Sequence, residues 1–339
     1  MKKTLLLVAA AVALVACSNE DTLVQQAPEA IGFDNAFVEN STRSVNDPSF
    51  DADNMFSDFA VFGFVEGAIL FDGTRVAKED LATDQTKTGW EYEGTQYWIA
   101  GANYNFNAVA PLTYGGWTKT AATKDATTLS FTNNGTTDLL YACATAQGEV
   151  SGNAAVAFTF RHTLSKVKFS FENAYNATNA TIKVRDVKIT DAYKTGSVVL
   201  DNATAWSSQA KADGFVLNFG MATDDQATDT KENVEVAFAF GKTYESQKEL
   251  FMIPGAGPAE VDGNKTYTVT FTVDLLVGGK KVKEYTHTIN AVFAPVAGNS
   301  YDLKATINAE NIDPENKQEP IEFTVNTLPG WGTTNDKNI

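Results

Sequence analysis

The stretch TYTVTFTVDLLVGGKKVKEYTHTI, residues 266–289, decides the fold class. Apolar and polar residues alternate from Tyr267 to Leu275, which is the period of a β-strand with one buried face. The Gly278-Gly279 pair then supplies the positive φ angles that a tight turn needs before a second alternating run. We therefore predict an antiparallel β-hairpin over this stretch.

The same alternation recurs along the chain, for example in residues 301–307 and 321–325, whereas helical periodicity is scarce. The run Asp58–Val65 is apolar in both phases, so we expect a central strand that is covered on both faces. Turn-forming residues separate these runs at short intervals. The sequence therefore predicts an all-β protein built from β-sandwiches.

Length and charge limit the number of domains and the classes of partner. The chain has 339 residues, with 26 basic and 42 acidic side chains and a net charge of -16. This length suits two domains of about 150 residues each. The negative charge would repel a phosphate backbone, so we do not expect nucleic acid as a partner.

A domain boundary is predicted near residue 173, where a polar, turn-rich segment follows a long apolar run. Within that run the apolar residues change phase near Ser165, which requires a bulge or bend. We assign residues 44–172 to an N-terminal sandwich and residues 173–312 to a C-terminal one.

The first residues have the composition of a secretory signal. Two lysines precede an apolar run that ends at Ala16 and is too short to span a bilayer. Residues 14–17, LVAC, resemble a bacterial lipobox, which implies removal of residues 1–16 and attachment of lipid to Cys17. The SNED sequence that follows resembles the signal by which Bacteroidota send lipoproteins to the outer face of the outer membrane.

No enzyme signature occurs in the chain: there is no G-x-S-x-G elbow, phosphate loop or H-E-x-x-H motif. His162 and His287 lie in the inward phase of strands, so we expect them to be buried and hydrogen-bonded. Cys143 could act as a nucleophile with His162 as its base, but we interpret it as a small hydrophobic residue of a strand. We expect no catalytic residue, no metal and no cofactor.

Two groups of residues leave binding hypotheses open. Asp51, Asp53 and Asp58 could hold a cation, although they lack the glycine and distal glutamate of a calcium loop, and a solvated loop is favoured. Six aromatic residues belong either to a core or to a platform that stacks sugars: Trp90, Tyr92, Tyr97, Trp98, Tyr104 and Phe106. The second possibility would make the protein a carbohydrate-binding surface lipoprotein that stays tethered by Cys17.

Three segments resemble the fimbrillin family of Bacteroidota, the subunits of type V pili. Residues 30–44, AIGFDNAFVENSTRS, are similar to the family's first strand and to the arginine at which a trypsin-like protease cuts. Residues 158–167, FTFRHTLSKV, are similar to its basic strand at the domain junction, and residues 313–331 are similar to its C-terminal donor segment. The resemblance implies two transthyretin-like Greek-key β-sandwiches in tandem.

The resemblance also implies a role for the N-terminal segment. Cleavage between Arg43 and Ser44 by an arginine-specific protease would remove residues 17–43 as a propeptide. The first strand would leave with it, including its apolar residues Ile31, Phe33 and Phe37. An open groove with unpaired backbone groups must be refilled, and the C-terminal strand of a neighbouring subunit can refill it. Without the resemblance, Arg43 would be interpreted as an exposed loop arginine.

The C-terminal segment, residues 313–339, is expected to contain a proline-bracketed hinge and the donor strand. Its apolar residues are Ile321, Phe323, Val325, Leu328 and Trp331. An ordinary intramolecular strand would show the same alternation, so both interpretations stay open here. If the strand is donated, it should be dispensable for the stability of the monomer.

These implications together describe a structural subunit of a cell-surface fimbria. The presence of both a cut site and a C-terminal extension indicates a stalk subunit. Its expected partners are other fimbrial subunits including tip and anchor subunits, the outer membrane before processing, the protease, and surface ligands of a host or another bacterium.

Overall fold

The computed structural model describes residues 28–38, 56–78, 90–112, 116–200, 205–223, 237–315 and 319–328. These residues form 22 β-strands and no helix, so the predicted all-β class is confirmed. The strands are, in chain order, β1 (Phe33–Val38), β2 (Asp58–Val65), β3 (Ala68–Lys78), β4 (Trp90–Tyr92), β5 (Asn103–Ala110), β6 (Trp117–Ala122), β7 (Thr127–Thr132), β8 (Leu140–Gln147), β9 (Val156–His162), β10 (Ser165–Asn173), β11 (Ala180–Ile189), β12 (Thr195–Leu200), β13 (Ala205–Ala210), β14 (Leu217–Gly220), β15 (Ala222–Thr223), β16 (Thr243–Ser246), β17 (Leu250–Met252), β18 (Ala259–Val261), β19 (Asn264–Val277), β20 (Lys280–Ala291), β21 (Ser300–Ile307) and β22 (Thr324–Leu328).

Seven strands of the first half form a sheet that closes on itself, in the order β1-β4-β3-β2-β5-β8-β9. The closure is made by β1, which pairs with β4 on one side and with β9 on the other. Alternate side chains point inward and fill the interior with aromatic rings, including Phe33, Phe59, Phe106 and Phe158. We call this closed sheet, together with the four-stranded sheet β13-β12-β7-β6, the first half of the molecule.

A four-stranded sheet, in the order β13-β12-β7-β6, covers the outer face of β2. Phe59 and Val61 point into the closed sheet, whereas Phe62 and Phe64 pack in a second cluster with Leu129. The expectation that Asp58–Val65 is covered on both faces is therefore confirmed.

The second half is a sandwich of two sheets. One has the order β15-β16-β10-β21-β22, with β17 also paired to β10, and the other has the order β14-β11-β19-β18, with β20 paired to β19. Phe169 and Phe171 of the first sheet meet Phe271 of the second in a shared core. The predicted hairpin is confirmed, since Val277 pairs with Lys280 across the Gly278-Gly279 turn and both glycines have positive φ.

Sheet membership crosses the expected boundary at residue 173 in both directions. β10 lies before that boundary but belongs to the second sandwich, because the phase change near Ser165 turns its apolar face toward the second core. The β12–β13 hairpin lies after it but belongs to the first half, because β12 pairs with β7 and Val198 is buried in the cluster that contains Leu129. The ranges 44–172 and 173–312 therefore do not coincide with the two sets of sheets, and the transthyretin-like Greek-key arrangement stays a prediction.

Candidate functional site

The first part of the candidate site is the slot in the closed sheet that β1 fills. β1 runs parallel to β9, from the Phe33–Val156 pair to the Val38–Phe160 pair. On its other side Phe33 pairs with Trp90 of β4. Residues that are far apart in the sequence therefore hold both edges of this strand, and no hairpin connects it to either neighbour.

Phe33 lies at the centre of the slot, with only 1% of its surface exposed. Its ring centroid is 5.5 Å from that of Phe71, 5.5 Å from Tyr92, 5.8 Å from Phe158 and 6.1 Å from Phe106. Edge-to-face packing dominates, which is a favourable arrangement for aromatic rings. Removing β1 would therefore expose the aromatic rings that contact Phe33 as well as the edges of β4 and β9.

Tyr92 links the start of the first strand to the wall of the slot. Its hydroxyl donates to the Ile31 carbonyl at 2.9 Å and accepts from the Gln96 N–H at 3.1 Å. Burial raises the pKa of Tyr92, so the hydroxyl stays protonated and available as a donor. The Ile31 N–H in turn donates to the Gln96 carbonyl at 2.8 Å.

The predicted first-strand residues fall together in this slot. Ile31 and Phe33 are buried, and Phe37 lies in β1 opposite Thr159, beyond a shift in register. Their displacement during assembly stays a prediction. Cys17, Arg43, Ser44 and Trp331 lie outside the described residues.

The second part of the candidate site is formed by residues 319–328 of the C-terminal segment, which lie on the second sandwich of the same chain. Its strand β22 runs antiparallel to β21, from the Thr324–Lys304 pair to the Leu328–Ser300 pair. It is the terminal strand of that sheet within the described residues. Ile321 is 4% exposed, so the segment is anchored in the core before β22 begins.

The packing of Phe323 opposes the expectation that this segment is dispensable for the monomer, which stays a prediction. Its ring centroid lies 5.4 Å from Phe169, 6.2 Å from Phe271 and 6.3 Å from Phe171. These three residues belong to the core of the second sandwich, and Val325 packs against the same core. Removal of the segment would therefore expose apolar surface in the monomer itself.

His287 lies next to the C-terminal segment. Its ring stacks on Phe271 at 5.0 Å, and it lines a cavity of about 310 Å³ together with Asp313, Glu319 and Ile321. Burial lowers the pKa of His287, and this effect is opposed by a hydrogen bond to the Ile312 backbone and by the charge of Asp313. The predicted burial of His287 is confirmed, but its position beside Ile321 could not be inferred from the inward phase of β20.

The other residues considered for chemistry have structural environments. His162 is buried against the Asp138 carboxylate. Cys143 lies in strand β8, but it is exposed there and its thiol donates to the Asn107 side chain at 3.2 Å. The outward phase of β8 at this position explains the exposure.

The hypothetical cation site is not assembled in the described part of the chain. Asp58 is buried and accepts a hydrogen bond from Arg75 Nε at 3.0 Å, while Asp51 and Asp53 lie outside the described residues. No group of three acidic, histidine or cysteine side chains suited to a metal occurs among the residues that the structure describes.

The aromatic residues considered for sugar stacking belong mostly to the core of the closed sheet. Tyr92 is half-buried and Tyr97 is exposed, while the other four are buried: Trp90, Trp98, Tyr104 and Phe106. They therefore do not form an exposed stacking platform.

A family model described as fimbrillin-like matches residues 42–327 of this chain. No curated protein matches it. Within the ranges described here, no helix has the length and apolar character needed to span a membrane.

Solved structures with similarity to this chain come from species of Bacteroides and Porphyromonas, among others. A candidate cell adhesion protein from Bacteroides eggerthii is 14% identical, with a TM-score of 0.46 over 90% of this chain and 92% of that chain. A candidate cell adhesion protein from Bacteroides uniformis is 16% identical, with a TM-score of 0.42 over 81% of this chain and 92% of that chain. The fimbrial anchor protein Mfa2 from Porphyromonas gingivalis is 14% identical, with a TM-score of 0.37 over 90% of this chain and 98% of that chain.

Proposed function

Because this chain belongs to the fimbrillin-like family, we propose that it is a stalk subunit of a cell-surface fimbria that assembles by protease-triggered exchange of terminal strands. The family is one of structural adhesion subunits, so the role of the chain is structural and not enzymatic. In this proposal Cys17 carries a lipid that holds the precursor at the outer membrane, and cleavage between Arg43 and Ser44 releases it for assembly.

The position of β1 is the observation that carries the proposal. The strand closes a sheet and, together with the residues just before it, buries Ile31 and Phe33. Its covalent link to the strands that follow is the segment that contains Arg43. One cut at that arginine would leave β1 held by noncovalent contacts alone. Burial of Ile31 and Phe33 contributes roughly 3 to 6 kcal/mol, so the vacated slot needs a replacement of similar apolar character.

The C-terminal segment supplies residues of that character. Ile321, Phe323 and Val325 alternate with polar residues, as a strand in the slot requires. Among the residues that the structure describes, β22 pairs only with β21, so it can leave the sheet by breaking one ladder. Its contacts with Phe169 and Phe271 oppose release, and refilling of the aromatic slot in a neighbouring subunit offsets that cost.

Treatment of the purified full chain with an arginine-specific protease tests the proposal. We expect polymers that electron microscopy detects after cleavage, and none from the Arg43→Lys variant, which keeps the charge but not the cut site. Arg75→Lys is the matched control because Arg75 is exposed in β3 and its replacement keeps a cation beside Asp58. Polymers formed by the Arg43→Lys variant in wild-type amounts would show that cleavage at this arginine is not the trigger.

A further inference from the structure

Four large hydrophobic side chains are exposed in the first half of the molecule. They are Ile69, Tyr97, Ile99 and Val150, with exposed fractions of 60%, 48%, 58% and 77%. Among the described residues from 28 to 163, every exposed large hydrophobic residue belongs to this set. Such residues scattered singly are ordinary, but a concentration at one place marks an interaction surface.

All four lie at one end of the closed sheet, which we call the near end. Ile69 follows the β2–β3 turn, which is tied to the start of β5 by the hydrogen bond from Glu66 N to Asn103 O. Tyr97 and Ile99 lie in the loop before β5, and Val150 lies in the loop after β8. The Gly101 N–H donates to the Gly148 carbonyl at 2.7 Å and so joins these two loops. We call these four residues the near-end patch.

The near end is also where the first strand begins. Ala30 forms an isolated bridge with Tyr97, and the Trp98 N–H donates to the Glu29 carbonyl at 2.9 Å. From here β1 runs parallel to β9 toward the junction with the second half. A strand that replaces β1 in the same direction must therefore enter past Tyr97 and Ile99.

A second set of exposed hydrophobic residues lies at the far end of the second sandwich: Phe240, Val277 and Val282. Gly241 N donates to Asn173 O at the end of β10, and Val277 closes the β19–β20 hairpin. β21 ends beside them, because Ala174 N donates to Ile307 O at 2.7 Å. The C-terminal segment therefore departs from this end of the molecule.

We propose that the near-end patch is the docking surface for the far end of a second copy of this chain. The inference rests on the proposed function, because a segment that leaves the far end of one copy and enters the slot of the next brings these two ends together. Three of the four near-end residues are aliphatic, which suits burial against Phe240 and Val277 better than stacking on a sugar.

Charge at the two ends favours the same pairing. Glu66 and Glu149 are exposed near the near-end patch, and Lys280 and Lys283 are exposed beside Val277 and Val282. Opposite charges around an apolar centre steer association and fix its orientation. Docking of the near-end patch on the far end of the next copy would hold neighbouring subunits in a fixed orientation, which a single donated strand does not do by itself.

The test uses the full chain with the paired substitutions Ile99→Asp and Val150→Asp. The variant is expected to melt at the wild-type temperature and to be cut after Arg43 at the wild-type rate, but to give at least about tenfold fewer polymers. Val292→Asp is the control, because Val292 is as exposed as Ile99, at 58%, but lies outside both patches. The milder pair Ile99→Thr and Val150→Thr is expected to give an intermediate loss and replaces the first pair if aspartate lowers the melting temperature.

Polymers from the patch variants in wild-type number and length would overturn the docking surface while leaving strand exchange intact. Failure of the cut wild-type chain to polymerise would instead overturn the proposed function, and the docking surface with it. An equal loss of polymers in the Val292→Asp control would show a general effect of surface charge and would also overturn the docking surface.

Discussion

The rings of Phe33 and Phe158 lie 5.8 Å apart with their planes inclined by 18°, and this stacked pair joins the first strand to β9. The two residues are separated by more than a hundred positions in the sequence, and the segment that carries Phe33 is the one that the proposed cleavage would detach. The same ring that completes the core of the uncut chain therefore marks the space that a donated strand must fill.

Phe33→Ala is expected to destabilise the uncut chain by about 3–5 kcal/mol, because it empties the centre of a tightly packed aromatic cluster. Urea denaturation monitored by tryptophan fluorescence measures the change. Ile69→Ala serves as the control, since this exposed side chain should alter the free energy of unfolding by less than about 0.5 kcal/mol. Similar stabilities for the two variants would show that the slot does not depend on Phe33.

Phe323→Ala is expected to destabilise the monomer by roughly 2 kcal/mol, less than the cost for a fully buried phenylalanine, because Phe323 is half-buried against Phe169 and Phe271. The thermal midpoint of uncut chain reports the effect. Glu322→Ala is the neighbouring exposed control. An unchanged midpoint in Phe323→Ala would restore the expectation that the segment is dispensable before assembly.

Stability should fall in mild acid because of His287. Burial holds the pKa of folded His287 below its ordinary value of 6.5, so the unfolded state binds the proton more tightly. The stability that the chain gains from burying neutral His287 is therefore fully present above about pH 6.5, and it decreases as the pH falls below that value.

Thermal melting at about pH 7.5 and about pH 5.5 tests this dependence. Among the described residues, the charged side chains that line the cavity with His287 are Asp313 and Glu319, and both are retained in the variant His287→Gln. The decrease in midpoint on acidification should be smaller in this variant than in the wild type. Equal decreases would assign the acid sensitivity to other groups.

Cys17→Ala is expected to prevent lipid attachment and to keep the chain from the cell surface. A single acyl chain binds membranes only weakly, so several chains on one cysteine are needed for stable anchoring. Protease shaving of intact cells measures the surface population. Cys143→Ala should leave surface levels unchanged, and normal surface levels of Cys17→Ala would contradict the assignment of Cys17.

Local sequence patterns predicted the parts of the fold that depend on neighbouring residues. The alternation in residues 266–289 and the Gly278-Gly279 pair were sufficient for the β19–β20 hairpin. The apolar run Asp58–Val65 indicated a strand covered on both faces, and the phase change near Ser165 indicated a break between β9 and β10.

Pairings between distant segments could not be predicted in the same way. β1 is parallel to β9, and β12 crosses back to pair with β7, although turn signals specify neither connection. The packing of Phe323 on Phe169 also depends on long-range register. The alternation in residues 321–325 is therefore compatible both with an intramolecular strand and with a strand donated to a neighbouring subunit. For Cys143, a small residue in an apolar context, the face of the strand could not be inferred from residue type.

The mass of the N-terminal peptide from fimbriae sheared off the cell surface tests the central claim most directly. Loss of the first strand by cleavage after Arg43 predicts that polymerised subunits begin at Ser44 and contain no peptide with Ile31, Phe33 or Phe37. Polymerised subunits that begin at a lipid-modified Cys17 and retain residues 31–38 would contradict it.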